Sequence, residues 1–369
     1  MSLTADAIRS ALSRVMDPEL RRPITELGMV DSVQVNGTAA QVGILLTIEG
    51  CPLRSTIEAD VERAVLSVEG AESAQITVGF MSPEQRRTLV DSLKRHTVAF
   101  TQPGSLTRII AVASGKGGVG KSSVTVNLAA AMAAQGLSVG VIDADVLGFS
   151  VPGLMGITSS PTRVNEMIVP PVAHGVKVMS IGMFLADNSP VMWRGPMLHR
   201  ALEQFVTDVH FGDLDVLLLD LPPGTGDVAI SVSQLLPEAQ FLVVTTPQHA
   251  AAEVAERAGL MAQQTGHQVM GVVENMSWIQ LPDGSRLTPF GEGGGLDVAG
   301  RLSEAGGTEV PLLASLPLDA ALREGGDGGV PVVLSQPGSE SAKALTALAT
   351  SLARRPRGLA GRSLGVTPR

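Results

Sequence analysis

The sequence predicts an α/β protein in which a mainly parallel sheet is covered by helices on both faces and joined to a small N-terminal α+β domain. Short apolar runs alternate with helical patterns between residues 106 and 352, which is typical of such a sheet. Several runs end in a carboxylate or a glycine-rich loop, where ligands collect in open α/β sheets. The chain has 369 residues, 44% of them hydrophobic, so two or three units with real cores are expected.

The first 82 residues contain the elements of the small α+β domain. Their pattern predicts a helix over 5–15, strands around 33 and over 43–48, a helix that starts near Pro52, and a strand over 74–80. Residues 83–105 are polar and include two prolines, so they are predicted to form a short helix and a linker. The segment 353–369 carries five arginines and no acid, which predicts a basic, disordered tail.

The loop after the predicted strand 108–114 carries the most informative motif in the chain. It reads Gly115-Lys116-Gly117-Gly118-Val119-Gly120-Lys121-Ser122. The last three of its glycines leave room for backbone N–H groups to converge on a triphosphate, and a helix is predicted to start there. Lys121 would place a charge at the β- and γ-phosphates, and Ser122 would offer a hydroxyl to Mg²⁺. The motif predicts a P-loop NTPase domain, residues 106–352, that binds ATP and Mg²⁺ through residues 115–122.

A dinucleotide site is the competing interpretation of the same glycines. Gly115, Gly117 and Gly120 also satisfy G-x-G-x-x-G, and Asp143 follows near the position of a ribose ligand. Such a site has no use for a lysine and a serine directly after the last glycine. In addition, the apolar run 214–220 ends in Asp220, which is the Walker B arrangement that supports the magnesium shell. The combination favours hydrolysis of a nucleoside triphosphate.

Three polar residues at the ends of other apolar runs are further site candidates. Asp143 and Asp145 follow the run that begins at 139. We assign Asp145 to the orientation of the attacking water and Asp143 to the metal, with capping of a helix or turn as the alternative for Asp143. Asn275 is predicted to pair with the adenine edge, because an amide both donates and accepts, and an ordinary turn residue is the alternative. The loop 221–227 is predicted to rearrange with the γ-phosphate.

Six motifs occur in order along nearly the whole chain. They are the 115–122 loop with its extra Lys116, Asp143-Ala144-Asp145, Trp193-Arg194-Gly195-Pro196-Met197, Asp220-Leu221-Pro222-Pro223-Gly224-Thr225-Gly226-Asp227, Glu274-Asn275-Met276-Ser277 and Phe290-Gly291-Glu292-Gly293-Gly294-Gly295. Together they resemble the Mrp family of iron-sulfur cluster carrier ATPases, which belongs with the ParA and MinD ATPases. The resemblance implies a homodimer with two ATP molecules, in which Lys116 reaches phosphates bound by the partner subunit. Lys116 thus joins Lys121 and Asp145 as a catalytic candidate.

The sequence departs from this family where a cluster is expected to bind. The resemblance implies a Cys-x-x-Cys pair after the 274–277 motif, whereas residues 278–286 contain no cysteine. Pro282-Asp283-Gly284 in that stretch predicts a tight turn between two strands. The resemblance still implies transfer of an iron-sulfur cluster to apoprotein clients, or exchange with a cluster-assembly scaffold. The alternative is a ParA/MinD-like ATPase that positions or scaffolds protein partners without a cluster, and the missing cysteine pair favours it.

Cys51 is the chain's one cysteine and the candidate cluster ligand. It precedes a predicted helix and lies near Arg54, and both features help a thiol to lose its proton. Asp17-Pro18-Glu19-Leu20 and Cys51-Pro52-Leu53 resemble the small domain of SufT-type iron-sulfur assembly factors. This second resemblance implies metal or cluster chemistry at Cys51. The alternative is a buried cysteine that acts as a small apolar residue.

Composition bears on whether the protein binds nucleic acids or membranes and on its cellular compartment. Acidic residues number 36 against 27 basic ones, which argues against nucleic-acid binding. No run reaches the apolar length of a membrane span, and Pro356, Gly358 and Gly361 interrupt any membrane-targeting helix in the tail. A single cysteine offers no intramolecular disulfide. Together with ATP dependence, this predicts a cytoplasmic protein that does not bind membranes.

Overall fold

The computed structural model describes residues 3–48, 53–96, 100, 105–145, 148–165, 167–184, 195–224 and 226–353. The chain divides into two compact units. The small unit comprises Met1–Thr97, Pro161–Pro171 and Asp208–Gly212, and the large unit comprises Val98–Ser160, Val172–Thr207 and Asp213–Arg369.

The regular elements alternate between strands and helices along most of the chain. The strands are β1 (Val30–Asn36), β2 (Ala39–Leu46), β3 (Ser73–Phe80), β4 (Arg108–Ser114), β5 (Val139–Asp143), β6 (Thr162–Val164), β7 (Met167–Val169), β8 (Val172–Ala173), β9 (Val176–Ser180), β10 (Val216–Asp220), β11 (Gln240–Thr245), β12 (Val269–Glu274), β13 (Ile279–Gln280), β14 (Arg286–Leu287) and β15 (Leu312–Ser315). The helices are α1 (Ala5–Leu12), α2 (Arg54–Leu66), α3 (Pro83–His96), α4 (Lys121–Ala134), α5 (Val151–Leu154), α6 (Gly195–Thr207), α7 (Asp227–Leu235), α8 (His249–Gln264), α9 (Gly294–Gly306), α10 (Ala320–Asp327), α11 (Val332–Ser335) and α12 (Glu340–Ala353).

The small unit is built on a sheet with the order β1-β2-β3. β1 and β2 are antiparallel, whereas β2 and β3 are parallel, with α2 between them in the chain. Every second residue of β2 is buried, which is the period expected of a strand with one face on a core. Apolar residues of α1 and α2 pack in the same core, so the predicted α+β character of the N-terminal region is confirmed.

Two segments outside residues 1–82 complete the core of the small unit. α3 buries Leu89 and Leu93 in it, and the β6–β7 hairpin contributes Val164, Met167 and Val169. The hairpin is antiparallel and too short to have a core of its own. The domain boundaries predicted from the sequence, 1–82, 83–105, 106–352 and 353–369, stay predictions, and the compact units divide the chain differently. Residues 354–369 of the predicted tail lie outside the described residues.

The large unit contains a sheet with the order β15-β12-β11-β4-β10-β5-β9-β8 within the described chain. Neighbouring strands run parallel, except that β8 pairs antiparallel with β9. A parallel sheet brings the carboxyl ends of its strands to one edge. The register places Asp220 beside Asp143 and beside Val112, so the ends of β10, β5 and β4 adjoin one another.

The inner strands of this sheet are buried on both faces, as continuous apolar runs predict, whereas the edge strands β15 and β8 are half-buried. In β4, Ile110 and Val112 pack in the same core as α4 and α12, and the alternating residues Ile109 and Ala111 are buried as well. These observations confirm the predicted α/β fold with helices on both faces of a mainly parallel sheet. They also fix β4 and α4 in the centre of the unit, on either side of the glycine loop.

Candidate functional site

The glycine loop between β4 and α4 has an open side and a packed side. Gly118 and Gly120 adopt φ of 79° and 81°, in the left-handed region that favours glycine. Gly117 and Gly118 are exposed, and a Cβ at residue 118 would meet nothing within 4 Å. At Gly120, by contrast, a Cβ would overlap the amide nitrogen of Asn275. The loop therefore leaves an exposed backbone surface at the N-terminus of α4, where anions bind.

The packed side of the loop is attached to three different elements. Asn275 Nδ2, after β12, donates to the Val119 carbonyl at 2.9 Å. The Ser114 hydroxyl donates to the Lys116 carbonyl at 3.1 Å, and the Gly224 N–H donates to the Ser114 carbonyl at 2.8 Å. These bonds tie the glycine loop to the ends of β12 and β4, and they tie the end of β4 to the proline-rich loop after β10. They fix its backbone without using the exposed N–H groups of the open side.

Lys121 and Asp220 form a buried ion pair below the loop. Lys121 Nζ lies 2.7 Å from Asp220 Oδ2, and the two side chains are 6% and 0% exposed. The Ser122 hydroxyl donates to Asp220 Oδ2 at 2.5 Å, and the Thr125 hydroxyl donates to Asp220 Oδ1 at 2.8 Å. A buried carboxylate is stable only when it is paired and hydrogen-bonded in this way. The network gathers an ammonium, a carboxylate and two hydroxyls at one point.

Asp143 adds a second carboxyl group next to Asp220. The pKa of Asp143 is raised to about 7, mainly by burial and then by the negative charge of Asp220, while hydrogen bonds from the Asp145 and Val151 N–H groups and the charge of Lys121 act in the opposite direction. The carboxyl group accepts hydrogen bonds from the Asp145 N–H at 3.1 Å and the Ser180 hydroxyl at 3.2 Å. It also accepts from the N–H of Val151, the first residue of α5, at 3.3 Å. These contacts allow both a metal role and the capping role that the sequence left open.

The other predicted side chains occupy distinct surroundings. Asp145 is mostly buried, and its Oδ1 accepts from the Gly148 N–H at 3.0 Å. Lys116 Nζ donates to Gln248 Oε1, directly before α8, at 2.9 Å. Asn275 is 1% exposed, and its Oδ1 is buried with no hydrogen-bond partner among the described residues. The roles of these residues stay predictions, because geometry alone assigns none of them.

The arrangement fits a nucleoside triphosphate with Mg²⁺. The glycine loop offers an open backbone cradle, and Lys121 offers a cation for phosphate oxygens. Mg²⁺ prefers oxygen ligands and keeps several waters, and it is usually bound through one or two carboxylates and phosphates. Ser122 and Asp220 supply adjoining oxygens of that kind, with Asp143 beside them.

The region where the resemblance implies a cysteine pair is a small hairpin. β13 and β14 pair antiparallel, and the predicted turn at Pro282-Asp283-Gly284 connects them. Cys51, Trp193, Arg194 and Thr225 lie outside the described residues. Within the part of the chain that the structure describes, no three His, Cys, Asp or Glu residues are grouped so that they could hold a metal ion.

Two side chains that bond to the predicted site residues were not predicted from the sequence: Thr125 and Gln248. Thr125 lies one helical turn after Lys121, and this spacing was a usable signal because residues four apart share a helix face. Gln248 is 132 positions from Lys116, and no local pattern links the two. The helices of the described residues are each too short or too polar to span a bilayer.

Comparison with known proteins agrees with this geometry. The family described as NUBPL iron-transfer P-loop NTPase, or ParA, matches residues 105–353, and the family described as iron-sulfur cluster assembly protein matches residues 5–78. A nucleotide-binding protein of Archaeoglobus fulgidus, solved in complex with ADP, is 35% identical with a TM-score of 0.53, covering 68% of this chain and 98% of that one.

Two curated relatives extend the likeness over both units. Each is called iron-sulfur cluster carrier protein. The one from Mycobacterium tuberculosis is 60% identical and covers 98% of this chain and 96% of the relative, and the one from Synechocystis is 42% identical and covers 95% and 97%. The resemblance to the Mrp carriers is thereby confirmed, and the chain belongs to the NUBPL iron-transfer family of P-loop NTPases.

Proposed function

We propose that this protein is an ATP-hydrolysing iron-sulfur cluster carrier that binds clusters and transfers them to apoproteins. The observation that carries the ATPase part is the buried Lys121–Asp220 pair, with the Ser122 and Thr125 hydroxyls, directly below an open glycine loop. An iron-sulfur cluster as the cargo is supported by the curated relatives, which are called iron-sulfur cluster carrier proteins. We place the protein in the cytoplasm, where ATP is available.

The phosphates are held by the backbone of residues 115–122 and by Lys121. Lys121 is already desolvated and paired with a carboxylate, so binding a phosphate oxygen in place of that partner adds no desolvation cost for the lysine itself. Ser122, Asp220 and Asp143 would hold Mg²⁺, which supplies positive charge to the phosphate oxygens. Asn275 keeps its Nδ2 on the loop and presents Oδ1, which has no partner among the described residues, as an acceptor for the adenine amino group.

Hydrolysis needs a positioned water and charge on the transferred phosphoryl group. Asp145 orients the water, and its carboxylate is held in place by the Gly148 N–H. Lys116 supplies the additional charge. In a homodimer this lysine acts on the phosphates bound by the second copy, so turnover depends on self-association. We call this loop a deviant Walker A motif because of that second lysine.

The cargo is bound through Cys51. The thiolate is the form of cysteine that ligates iron, and two copies of the chain contribute two thiolates. With 1 cysteine per chain, the other ligands come from an apoprotein client, an assembly scaffold or a small thiol. ATP-dependent rearrangement then loads or releases the cluster.

The ATPase proposal is tested by Lys121→Ala. The change removes the cation from the phosphate site, so we expect the rate of ATP hydrolysis to fall by about 100- to 1000-fold, as for loss of one preorganised charge donor. Phosphate release measures it. The matched control is Lys343→Ala, which removes an exposed lysine of α12 that pairs with Glu340 and should hydrolyse ATP at the wild-type rate. Unchanged hydrolysis in Lys121→Ala would remove the proposed site.

The cargo proposal is tested by anaerobic reconstitution with iron and sulfide. We expect visible absorption of a bound cluster in the wild type, its loss in Cys51→Ala, and ATP-dependent transfer of iron to an apoprotein. A cluster that persists in Cys51→Ala contradicts the role of that thiol. ATP hydrolysis with no cluster in the wild type, together with an ATP-dependent set of bound proteins, supports the scaffolding alternative instead.

A further inference from the structure

Lys116 is held by a residue that does not belong to the glycine loop. Its Nζ donates to Gln248 Oε1 at 2.9 Å, and both side chains are half-buried. Gln248 occupies the N-cap position of α8, but its side chain makes no capping hydrogen bond to that helix. The amide is therefore free of the usual local role of an N-cap side chain, and its oxygen is used for Lys116.

The backbone next to Lys116 is packed against the same helix. Gly115 is buried, and a Cβ at this position would overlap the backbone of Val254 and Ala255 in the second turn of α8. The start of the loop and the start of α8 are thus in direct contact. Because the backbone position is fixed, the ammonium of Lys116 can either donate to Gln248 or donate to an acceptor on a ligand.

The two lysines of the loop have partners of different strength. Lys121 pairs with the buried carboxylate of Asp220, whereas Lys116 bonds to a neutral amide oxygen and forms no ion pair among the described residues. A neutral acceptor holds an ammonium less strongly than a carboxylate or a phosphate does. Gln248 can therefore localise Lys116 and still lose it to phosphate oxygens.

We propose that Gln248 is a positioning residue that restrains Lys116 away from phosphate until a nucleotide competes for the ammonium. The inference rests on the proposed ATPase function and deepens it. Under this proposal, the hydrogen bond between Lys116 and Gln248 must break before ATP is hydrolysed. The size of the restraint is set by the difference in affinity of Lys116 for the amide and for phosphate.

Two substitutions change the restraint in opposite directions. Gln248→Glu replaces the amide with a carboxylate, which strengthens the hold on Lys116. We expect kcat to fall by about tenfold or more with KM for ATP within about twofold of wild type, because the phosphate site itself is unchanged. Gln248→Leu keeps the size of the side chain and removes the acceptor. Here we expect kcat equal to the wild-type value or up to about threefold higher.

A second measurement probes the contact between Lys116 and Gln248 without relying on ATPase activity. Competitive acetylation with acetic anhydride, followed by mass spectrometry, gives the reactivity of Lys116 relative to Lys343 in the same sample. We expect Lys116 to react about threefold faster in Gln248→Leu and about threefold slower in Gln248→Glu than in the wild type. The matched control is Gln264→Glu, which adds the same charge to an exposed position at the end of α8 and should leave both readouts unchanged.

The outcomes separate this inference from the ATPase proposal. Restraint is overturned if Gln248→Leu loses activity as Gln248→Glu does, since Gln248 would then assist Lys116. It is also overturned if neither variant changes kcat while Lys121→Ala still lowers the rate of hydrolysis as expected. If the wild type hydrolyses no ATP, both the ATPase proposal and the proposed restraint of Lys116 are contradicted. The proposal is supported if kcat falls in Gln248→Glu but not in Gln248→Leu, and if the reactivity of Lys116 changes in opposite directions in the two variants.

Discussion

The glycine loop (residues 115–122) and the hairpin segment (residues 276–287) both follow parallel strands of one sheet, yet they are held in different ways. The loop is attached by contacts between residues far apart in sequence, such as Asn275 to Val119 and Lys116 to Gln248. The hairpin segment is closed mainly by contacts between its own neighbours. β13 pairs with β14, Ser285 bonds to Asp283, and Arg286 stacks on Trp278.

The two regions therefore differ in how many elements a substitution would disturb. Most residues of the glycine loop have a partner from another element or a positive φ, as Val119, Lys121 and Gly120 do, so a change there disturbs several elements at once. The hairpin segment is largely exposed, and a change there is absorbed locally. The cysteine pair implied by the family falls in this second kind of region. Its loss therefore leaves the nucleotide site intact.

The sharpest test of the comparison replaces a glycine in each region. Gly120→Ala forces a side chain onto a φ of 81° and into the amide of Asn275. We expect the free energy of unfolding to fall by about 2–5 kcal/mol, from the left-handed backbone and the displaced hydrogen bond to Val119. ATP binding should be lost as well. Urea unfolding and calorimetry with ATP measure the two effects.

Gly284→Ala is the matched change in the hairpin. Gly284 has a φ of 86°, but a Cβ there meets nothing within 4 Å. We expect a loss of about 1–2 kcal/mol from the backbone alone, with ATP binding unchanged. Equal losses of stability and of binding in the two variants would show that the regions are not held differently.

Titration of Asp143 gives the second test. Its pKa in the folded protein is raised from 3.8 to about 7, so its contribution to stability is complete below pH 4 and is lost as the pH rises through about 7. The unfolded chain gives up this proton first, so the free energy of unfolding falls by at most about 1.4 kcal/mol per pH unit in that range. We expect Asp143→Asn to remove this decline. Urea unfolding from pH 4 to 8.5 with EDTA measures it.

Asp283 in the hairpin is the control for this pH dependence. The Ser285 hydroxyl and N–H hydrogen-bond to its carboxylate and lower the pKa of Asp283 below 3.8. Its contribution is therefore present at neutral pH and lost only as the pH falls through the lowered value, outside the range tested. Asp283→Asn should show the same decline between pH 4 and 7 as the wild type. A wild-type decline that also survives in Asp143→Asn would contradict the assignment to Asp143.

A smaller effect is expected from Asn275→Ala. The change removes the donor to the Val119 carbonyl, and loss of one partner of a buried hydrogen bond costs about 1–3 kcal/mol. We expect KM for ATP to rise, because the packed side of the glycine loop loses its attachment to the end of β12. The control is Asn127→Ala, a buried asparagine that bonds to Ser123 and Val333 instead. It should lose similar stability while KM stays near the wild-type value, and the same rise in KM there would refute a specific role for Asn275.

The smallest effect is expected at Arg286. Its guanidinium lies 4.2 Å from the centre of the Trp278 ring, and an exposed cation–π contact is worth about 0.5–1 kcal/mol. Arg286→Ala should lower the free energy of unfolding by no more than that, with hydrolysis unchanged. Urea unfolding followed by tryptophan fluorescence measures it. A decrease in ATP turnover would connect the hairpin to the nucleotide site and weaken the comparison.

Much of the fold was predictable from local patterns. The run 108–114, the loop and the helix after it lie where the sequence predicts them, because a buried parallel strand and a glycine turn have unambiguous local signatures. The domain boundaries were harder to predict. The β6–β7 hairpin and α3 join the small core through side chains such as Val164 and Leu93. Nothing local to those residues indicates which core they complete.

The sequence by itself determined the type of chemistry: a glycine loop that leaves N–H groups exposed, a lysine, a serine and carboxylates at strand ends, and a single cysteine. Only the tertiary structure decided how these groups are paired. In the folded protein, Lys121 forms a buried ion pair with Asp220, the pKa of the neighbouring Asp143 is raised, and Lys116 donates a hydrogen bond to Gln248. Residue type and spacing fix what a side chain can do, whereas its partner and its desolvation depend on residues that only folding brings near.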